Sequence, residues 1–361
     1  LVALLSNVSR PDGNTIRFSN VNLQIVNGTG TTTGTVNGLG NLIVGYDEAR
    51  TSGSDKTGSH NIVLGRNHNY SGYAGLVAGY ENSVSGNYAS VSGGQRNTAS
   101  GDFASVSGGF LNTASNGGSS VSGGFGNTAN ALTSSVSGGN NNTASNSYAS
   151  ISGGQANTAS GKYASISGGR YNEASGDRSS ISGGRYNKAS GEYSFVGGGG
   201  DEDSVNGNEA FSNYSAILGG NNNITGDNSD PEDHTTGISA TVLGGRSNKA
   251  IGFLSSISGG YANTASGERS SVSGGRANTA SGENSSVSAG YNNTAGGENA
   301  SISGGRSNTA GGSTSSVSGG RQNTASGWSS SVSGGKYNTA SGDYSFIGGG
   351  GGQNDYEGNI A

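Results

Sequence analysis

The chain has 361 residues, of which 72 are Gly, 2 are Pro and none is Cys or Met; charged residues make up 11% and the net charge is −5 at pH 7. The absence of Cys excludes a disulfide framework and a thiolate metal site. No apolar run reaches the roughly 18 residues of a membrane span, and the scattered Lys and Arg residues argue against a nucleic-acid surface.

The first segment, residues 1–42, is predicted to cap the structure that follows. Apolar residues recur at helical spacing between Leu1 and Val8, as in the last turns of a coiled coil that begins upstream. Pro11 ends that pattern, and residues 15–26 then alternate in polarity as a β-strand does. We therefore expect a helical end and a strand over the first coil of a repeat.

A repeat of fifteen residues occupies most of the chain. Val or Ile returns at this period in two arrays, residues 91–200 and 242–347, and each unit reads like Ser90 to Ala104. Side chains alternate in polarity twice within a unit, which indicates two short β-strands separated by Gly-containing corners. Stacked in register, such coils form two parallel ladders, so the predicted fold is all-β, a parallel β-roll or β-solenoid.

Three further segments depart from this period. Residues 43–90 begin irregular coils of 20 and 14 residues, residues 201–241 hold a coil with two insertions, and residues 348–361 begin another copy of the first insertion. The insertions carry the densest acidic charge, and carboxylates suit Ca²⁺. Solvated loops are the simpler interpretation, and no other cofactor is predicted. The candidate Ca²⁺ ligands are Asp201, Asp203, Asp227, Asp230 and Asp233.

The interior of each coil is predicted to be thin, because a coil supplies only one Val or Ile and one Ala. At about 25 cal/mol per Å², burial of so little apolar surface gains little against the entropy cost of ordering the chain. We expect two compensating features: amides that hydrogen-bond from coil to coil, and self-association of a Ser- and Val-bearing face. The predicted amide ladder comprises Asn97, Asn112, Asn127, Asn142, Asn157, Asn172 and Asn187.

The corners between strands carry variable side chains, where a binding surface can change without disturbing the fold. Two interpretations stay open. Exposed aromatic rings stack on the adjacent coil or on a neighbouring chain, or a Tyr/Arg stripe contacts an extracellular protein or glycan. The candidate residues are Tyr88, Phe103, Tyr148, Tyr163, Arg170, Tyr171, Arg185, Tyr186 and Tyr193.

The sequence contains no pattern that indicates catalysis. His60, His68 and His234 lack the spacing of metal ligands, which predicts surface or loop roles for all three. The abundant Ser residues follow the coil period, and none lies beside a suitable His and Asp pair. We therefore expect a protein that is not an enzyme.

The half-repeats resemble the head repeats of YadA-like trimeric autotransporter adhesins, which also occur in some phage tail fibres. The resemblance covers roughly residues 43–347 and is best at Asn-Ile-Val-Leu-Gly (61–65) and Gly-Leu-Val-Ala-Gly (75–79), whereas the other units are one Gly longer. It implies a left-handed β-roll, three chains side by side, display outside the cell and a role in adhesion.

We therefore expect an extracellular, non-catalytic rod of about twenty coils, on the order of 100 Å long at the spacing of a β-ladder, that forms a homotrimer and attaches to protein or glycan surfaces. Three alternatives stay open. The chain ends inside a copy of its first insertion, which fits a filament that polymerises end to end, and a phage fibre shaft shares the architecture. An outward Thr-x-Ser ladder that begins at Thr98 and Ser100 fits an ice-binding surface, although Glu173 and Lys188 interrupt it.

Overall fold

The structure is a computed structural model that describes residues 7–200, 207–351 and 358–361. Within these ranges the chain is all-β, and about 19 coils with two short strands per turn wind into a parallel β-solenoid. This confirms the predicted architecture. Most of the predicted helical end, residues 1–6, lies outside the described residues.

The first strands of successive coils form one parallel ladder, the first ladder. Each strand pairs with the equivalent strand one coil later, so Val106 lies between Val91 and Val121. The strands of this ladder are Leu42–Val44, Ile62–Arg66, Leu76–Tyr80, Ser90–Val91, Ser105–Val106, Ser120–Val121, Ser135–Val136, Ser150–Ile151, Ser165–Ile166, Ser180–Ile181, Phe195–Val196, Ala216–Ile217, Thr241–Val242, Ser256–Ile257, Ser271–Val272, Ser286–Val287, Ser301–Ile302, Ser316–Val317, Ser331–Val332 and Phe346–Ile347.

The second strands form the second ladder, in which Ala114 lies between Ala99 and Ala129. We name the turn after a first strand the first corner, as at residues 93–97, and the turn after a second strand the second corner, as at residues 101–104. The strands of the second ladder are Asn69–Tyr70, Ser83–Val84, Thr98–Ala99, Thr113–Ala114, Thr128–Ala129, Thr143–Ala144, Thr158–Ala159, Glu173–Ala174, Lys188–Ala189, Glu209–Ala210, Ile224–Thr225, Lys249–Ala250, Thr264–Ala265, Thr279–Ala280, Thr294–Ala295, Thr309–Ala310, Thr324–Ala325 and Thr339–Ala340.

The N-terminal segment differs from its prediction. Val8–Asp12 and Thr15–Phe18 pair as an antiparallel hairpin, so the strand expected over residues 15–26 ends early and has a partner that the sequence did not suggest. The Asp12 carboxylate accepts the backbone N–H of Asn14 at 2.8 Å and closes the turn. Val8, the last apolar residue of the helical pattern, lies in the first strand of this hairpin.

The remainder of this segment contacts the first coil, as a cap does. The backbone N–H of Asn27 donates to His60 Nε2 at 3.2 Å, and the Asn41 side-chain amide donates to the carbonyl oxygen of Gly58 at 2.8 Å. At the same end the interior column of Ala residues changes to larger side chains, through Val84 to the buried Tyr70. The end of the solenoid is thus filled from inside as well as covered.

The interior of the regular coils is as narrow as the sequence predicts. A representative coil buries Val91 from the first ladder, Ala99 from the second, Asn97 at the first corner and Ala89 at the second, all 0% exposed. These four columns continue along the rod with Val or Ile, Ala, Asn, and Ala or Ser. The apolar part of the core is therefore a single file of small side chains.

The distance between coils requires glycine at one position of the first corner. Gly154 has a φ of +92°, and a Cβ there would lie 2.2 Å from the carbonyl oxygen of Gly169 in the next coil. The preceding Gly153 differs, because a Cβ there would meet no atom within 4 Å. Ala289 occupies the position equivalent to Gly153 in another coil. One glycine of each pair is fixed by the coil, and the other is not.

We expect Gly154→Ala to destabilise the rod strongly and Gly153→Ala to change its stability little. The first substitution places a Cβ in the left-handed region, which costs about 1–2 kcal/mol, and adds a clash with the next coil, for a total loss above about 3 kcal/mol. The second should stay within about 0.5 kcal/mol. Denaturant unfolding followed by circular dichroism measures both, and equal losses would contradict this account of the corner.

A column of buried serines at the second corner is only partly hydrogen-bonded. The Oγ atoms of Ser270 and Ser285 have no hydrogen-bond partner among the described residues, whereas Ser119 and Ser134 donate to the carbonyl oxygen three residues earlier at 2.7 and 2.8 Å. Elsewhere the column holds Ala, as at Ala164. A buried hydroxyl without a partner loses its hydration and gains nothing in exchange.

Replacing the unpartnered serines by alanine should therefore stabilise the protein. We expect Ser270→Ala and Ser285→Ala each to raise the free energy of unfolding by about 1 kcal/mol, and Ser119→Ala, which removes a satisfied hydroxyl, to lower it by about as much. The denaturation midpoints of the three variants test this. A loss of stability in Ser270→Ala and Ser285→Ala would show that these hydroxyls are bonded in solution.

Candidate functional site

The Asn column holds the first corner, from which the variable side chains project. The backbone N–H of Asn112 donates to Asn97 Oδ1 at 2.9 Å, and Asn112 Nδ2 donates to the carbonyl oxygens of Gly108 in its own coil and Gly124 in the next, at 2.9 and 3.0 Å. The predicted ladder thus consists mainly of amide-to-backbone bonds. The same bond to the Asn Oδ1 one coil earlier is donated by the backbone N–H groups of Asn97, Asn127, Asn142, Asn157, Asn172 and Asn187.

The prediction of a surface or loop role is wrong for His68, which is 1% exposed and occupies the first position of the Asn ladder. Its Nδ1 accepts the backbone N–H of Asn82 at 3.2 Å, and its Nε2 donates to the Leu64 carbonyl oxygen at 3.0 Å. These bonds require a neutral ring with its hydrogen on Nε2. The sequence contained the signal, because His68 precedes Asn82 by fourteen residues, the period of the irregular coils.

The other two histidines have local partners. His60 Nε2 accepts the backbone N–H of Asn27, as described above, and His234 Nδ1 lies 2.8 Å from the carbonyl oxygen of Phe211, with the two rings 4.4 Å apart. Across residues 7–200, 207–351 and 358–361, no group of three or more His, Asp or Glu side chains is placed to hold a metal ion.

The acidic loop side chains cap their own turns. Asp227 accepts the backbone N–H of Ser229 at 3.0 Å, and Asp233 accepts that of Thr235 at 2.9 Å. Hydrogen bonds from these two neighbours lower the pKa of both carboxyl groups below the ordinary value.

The Asp230 carboxylate accepts the backbone N–H of Glu232 at 3.1 Å. The other two candidate ligands, Asp201 and Asp203, lie outside the described residues. The described carboxylates therefore accept hydrogen bonds within their own loop, and Ca²⁺ binding stays a prediction.

The second corner carries a continuous stack of exposed side chains. The rings of Tyr148 and Tyr163 lie 4.7 Å apart and nearly parallel, and those of Tyr193 and Tyr214 lie 5.1 Å apart. Arg178 joins the two pairs, because its guanidinium carbon lies 5.6 Å from the Tyr163 ring and 5.0 Å from the Tyr193 ring. Five successive coils thus present one column of stacked groups.

The other candidate aromatic residues also stack along the rod. Tyr88 and Phe103 lie 5.0 Å apart at the second corner, and Tyr171 and Tyr186 lie 4.9 Å apart at the first. Arg170 covers the Tyr171 ring at 4.8 Å, and the next residue of its column is Arg185.

Stacking offsets part of the cost of an unusual backbone at these residues, although unstacked residues such as Thr133 and Ser329 share that backbone. Tyr148, Tyr163 and Arg178 have φ angles of +62°, +61° and +56°, where a side chain with a Cβ costs about 1–2 kcal/mol. Each aromatic pair recovers about 0.5–1.5 kcal/mol. Because neighbours cover the ring faces, the edges and hydroxyl groups are what a partner can contact. The geometry favours stacking between coils as the primary role of these rings.

Arg170 and Arg185, which the sequence predicts as candidates for a binding surface, belong to a column at the first corner that is formed by the residue after the Gly pair of each coil. Its members in the second array alternate between cations and Tyr and then become cations only, and all are exposed. The sequence analysis predicted no continuous row of cations there, although their spacing of thirty or fifteen residues was the signal. We name this set the basic column: Arg246, Arg276, Arg306, Arg321 and Lys336, with Tyr261 and Tyr291 between the first three.

The outward Thr column of the second ladder lies in register over two stretches, Thr98 to Thr158 and Thr264 to Thr339. Its interruption is longer than the two residues noted in the sequence, because five consecutive coils lack Thr. The ice-binding alternative therefore rests on two separate arrays and stays a prediction. The interrupting residues are Glu173, Lys188, Glu209, Ile224 and Lys249.

Comparison with protein-family models finds none that matches this chain, and comparison with curated proteins finds no match. In the described ranges there is no helix of the length and apolarity needed to cross a membrane. The resemblance to YadA-like heads therefore stays a prediction.

The position of His68 predicts a pH-dependent first coil. Burial lowers the pKa of its imidazole below the ordinary value, and the positive charge of Arg50 acts in the same direction. The unfolded chain, with a His pKa of about 6.5, binds the proton more readily, so stability is complete above about pH 6.5 and falls as the pH drops below it.

Hydrogen exchange at the Asn82 amide measures this loss between about pH 7.5 and about pH 5.5, after correction for intrinsic exchange. His68→Asn is the matched control, because Asn fills the ladder in the regular coils. We expect the variant to keep its protection over this range. A wild type that loses no more protection than His68→Asn would rule out the mechanism.

Proposed function

We propose that this chain is a segment of an extracellular fibre, a non-catalytic rod that associates laterally with identical chains and attaches to surfaces. The observation that carries the proposal is that the constant and the variable residues of a coil lie in different places. Small side chains and a hydrogen-bonded Asn fill the interior, and the variable residues lie outside, on the corners. A protein built in this way keeps its shape while its surface changes.

Apolar residues on the outward face of the first ladder support lateral association. Leu218 and Leu243 are 51% and 48% exposed in adjacent coils, at a position where Ser92 and Ser258 stand in others. Val44 and its neighbour in the next coil extend the apolar character of the same face at the N-terminal end. Exposed apolar patches with polar surroundings are typical of protein interfaces.

The unconstrained glycines follow this face directly in the sequence. A Cβ added at Gly108, Gly123 or Gly153 would meet no atom within 4 Å, and Ala289 shows that the coil accepts a methyl group there. Close approach of another backbone is a reason to keep Gly where the coil itself does not need it. The interface we propose combines these glycines with the exposed leucines.

The thin core supports the same proposal. Each coil buries little apolar surface, and the association of identical chains adds burial without a larger fold. Three further parts of this proposal rest on the resemblance to YadA-like heads: the fibre contains three chains side by side, its winding is left-handed, and it is displayed at the cell surface.

The double variant Leu218→Ser and Leu243→Ser tests the interface. Ser is native at equivalent positions, so the solenoid should fold, and self-association should weaken at least about tenfold because two Leu side chains no longer transfer from water. Sedimentation equilibrium measures the change. The matched control is Leu111→Ser with Leu254→Ser, which removes two exposed leucines from the corners and should leave the association intact.

Electron microscopy of the wild type tests the rod itself. We expect slender particles about 90 Å long for about 19 coils at roughly 4.8 Å each. A wild-type protein that is monomeric at all concentrations, or a double variant that associates as strongly as the control, would refute lateral association.

A further inference from the structure

The cations of the basic column form no ion pair with any of the residues that the structure describes. All five are exposed, and the ion pairs of the described residues involve other cations. Exposed cations that stand close together without anions create a positive potential along their row. This occurs in a chain whose net charge is −5, so the sign of the first corner opposes that of the whole molecule.

The carboxylates of the same coils lie at the second corner. Glu268 and Glu283 both pair with Arg269, at 2.9 and 3.4 Å, and Glu298 and Asp343 continue their column further along the rod. The two corners therefore carry opposite charge, and the acidic corner is partly neutralised by its own Arg. Within the described part of the second array, the basic corner has no such ion pair.

The Tyr rings of the column contact two of its cations, Arg276 and Arg306. The Arg276 guanidinium carbon lies 5.4 Å from the Tyr261 ring and 5.7 Å from the Tyr291 ring, and that of Arg306 lies 5.5 Å from Tyr291. Cation–π contacts of this kind use the faces of the guanidinium group. Its in-plane N–H donors remain available for a carboxylate or sulfate, which they bind in a bidentate manner.

The row is straight, because its members occupy one position in consecutive, paired coils. At about 4.8 Å per coil, the seven coils from Arg246 to Lys336 span roughly 29 Å. A ligand that satisfies all five cations must therefore be extended, must carry repeated negative charge and must lie parallel to the rod axis.

We propose that the basic column binds a linear anionic polysaccharide, carboxylated or sulfated, laid along the solenoid. This names the ligand class for the surface attachment proposed above and rests on that function. Each cation pairs with an anionic group of the polymer, and the affinity rises with the number of cations that bind.

The geometry favours a polysaccharide over a nucleic acid. Single-stranded nucleic acid needs free aromatic faces on which bases stack, and guanidinium groups from the coils before and after cover the Tyr291 ring. The phosphates of a duplex wind around its axis once in about 34 Å, so a straight row of this length meets them only briefly.

The test measures binding of the full chain to heparin, alginate and neutral dextran of similar length by titration calorimetry. We expect heparin or alginate to bind and dextran not to bind. The triple variant Arg276→Gln, Arg306→Gln and Arg321→Gln should bind about tenfold more weakly and show a smaller dependence on salt. Gln is native in this column at Gln95 and Gln155, so the variant should fold.

The matched control is the triple variant Lys162→Gln, Lys249→Gln and Arg269→Gln, which removes the same charge from other positions and should bind as the wild type does. Comparison of heparin with alginate separates sulfate from carboxylate recognition. Equal losses in both triple variants would show that net charge alone matters, and would overturn the assignment of the site.

Two further results would also overturn it. Tighter binding of single-stranded or duplex DNA than of either polysaccharide, through the same residues, would assign the column to nucleic acid. A change of oligomeric mass in the first triple variant at low salt, without a change in polysaccharide binding, would assign it to the acidic corner of a second copy. Rods that self-associate but bind neither polysaccharide would refute this inference and leave the fibre proposal standing.

Discussion

The spacing of about 4.8 Å between coils is the constraint on which the rest of the structure depends. It excludes a Cβ at Gly154, because the next carbonyl oxygen occupies that space. It lets one Asn side chain reach the backbone of two coils at once, and it places rings such as Tyr148 and Tyr163 at stacking distance. Each position of the repeat accepts only those residues that fit against the next coil at this distance.

The polar ladder matters because the apolar core is small. Each Asn satisfies an otherwise buried N–H and two carbonyl oxygens at the first corner, and unsatisfied groups of this kind cost about 1–3 kcal/mol each. His68 shows that the column requires hydrogen-bonding groups rather than one residue type, since its imidazole offers the acceptor and one of the two donors that the amide supplies. Specificity for the solenoid thus lies in hydrogen bonds and glycine positions as much as in hydrophobic burial.

The periodic part of the fold could be predicted from sequence because equivalent residues recur every fifteen positions and stack in register from coil to coil. Val91 and Asn97 were enough to place both ladders and the Asn column. Features outside the strict period could not be placed in this way: His68 sits at a fourteen-residue step, and the N-terminal hairpin pairs residues by a local turn. The basic column was not predicted as one row because Tyr261 and Tyr291 separate its first three cations, so that these look isolated in the sequence.

Stacking also determines how neighbouring charges affect the rod. In the second ladder Glu173, Lys188 and Glu209 alternate in sign, so adjacent coils attract one another. In the basic column Tyr separates the first cations, but Arg321 has cations in both adjacent coils. Two unit charges about 4.8 Å apart repel by roughly 0.9 kcal/mol even in water. A polyanion bound as we propose would place negative charge beside Arg321 and its neighbours and would offset that repulsion.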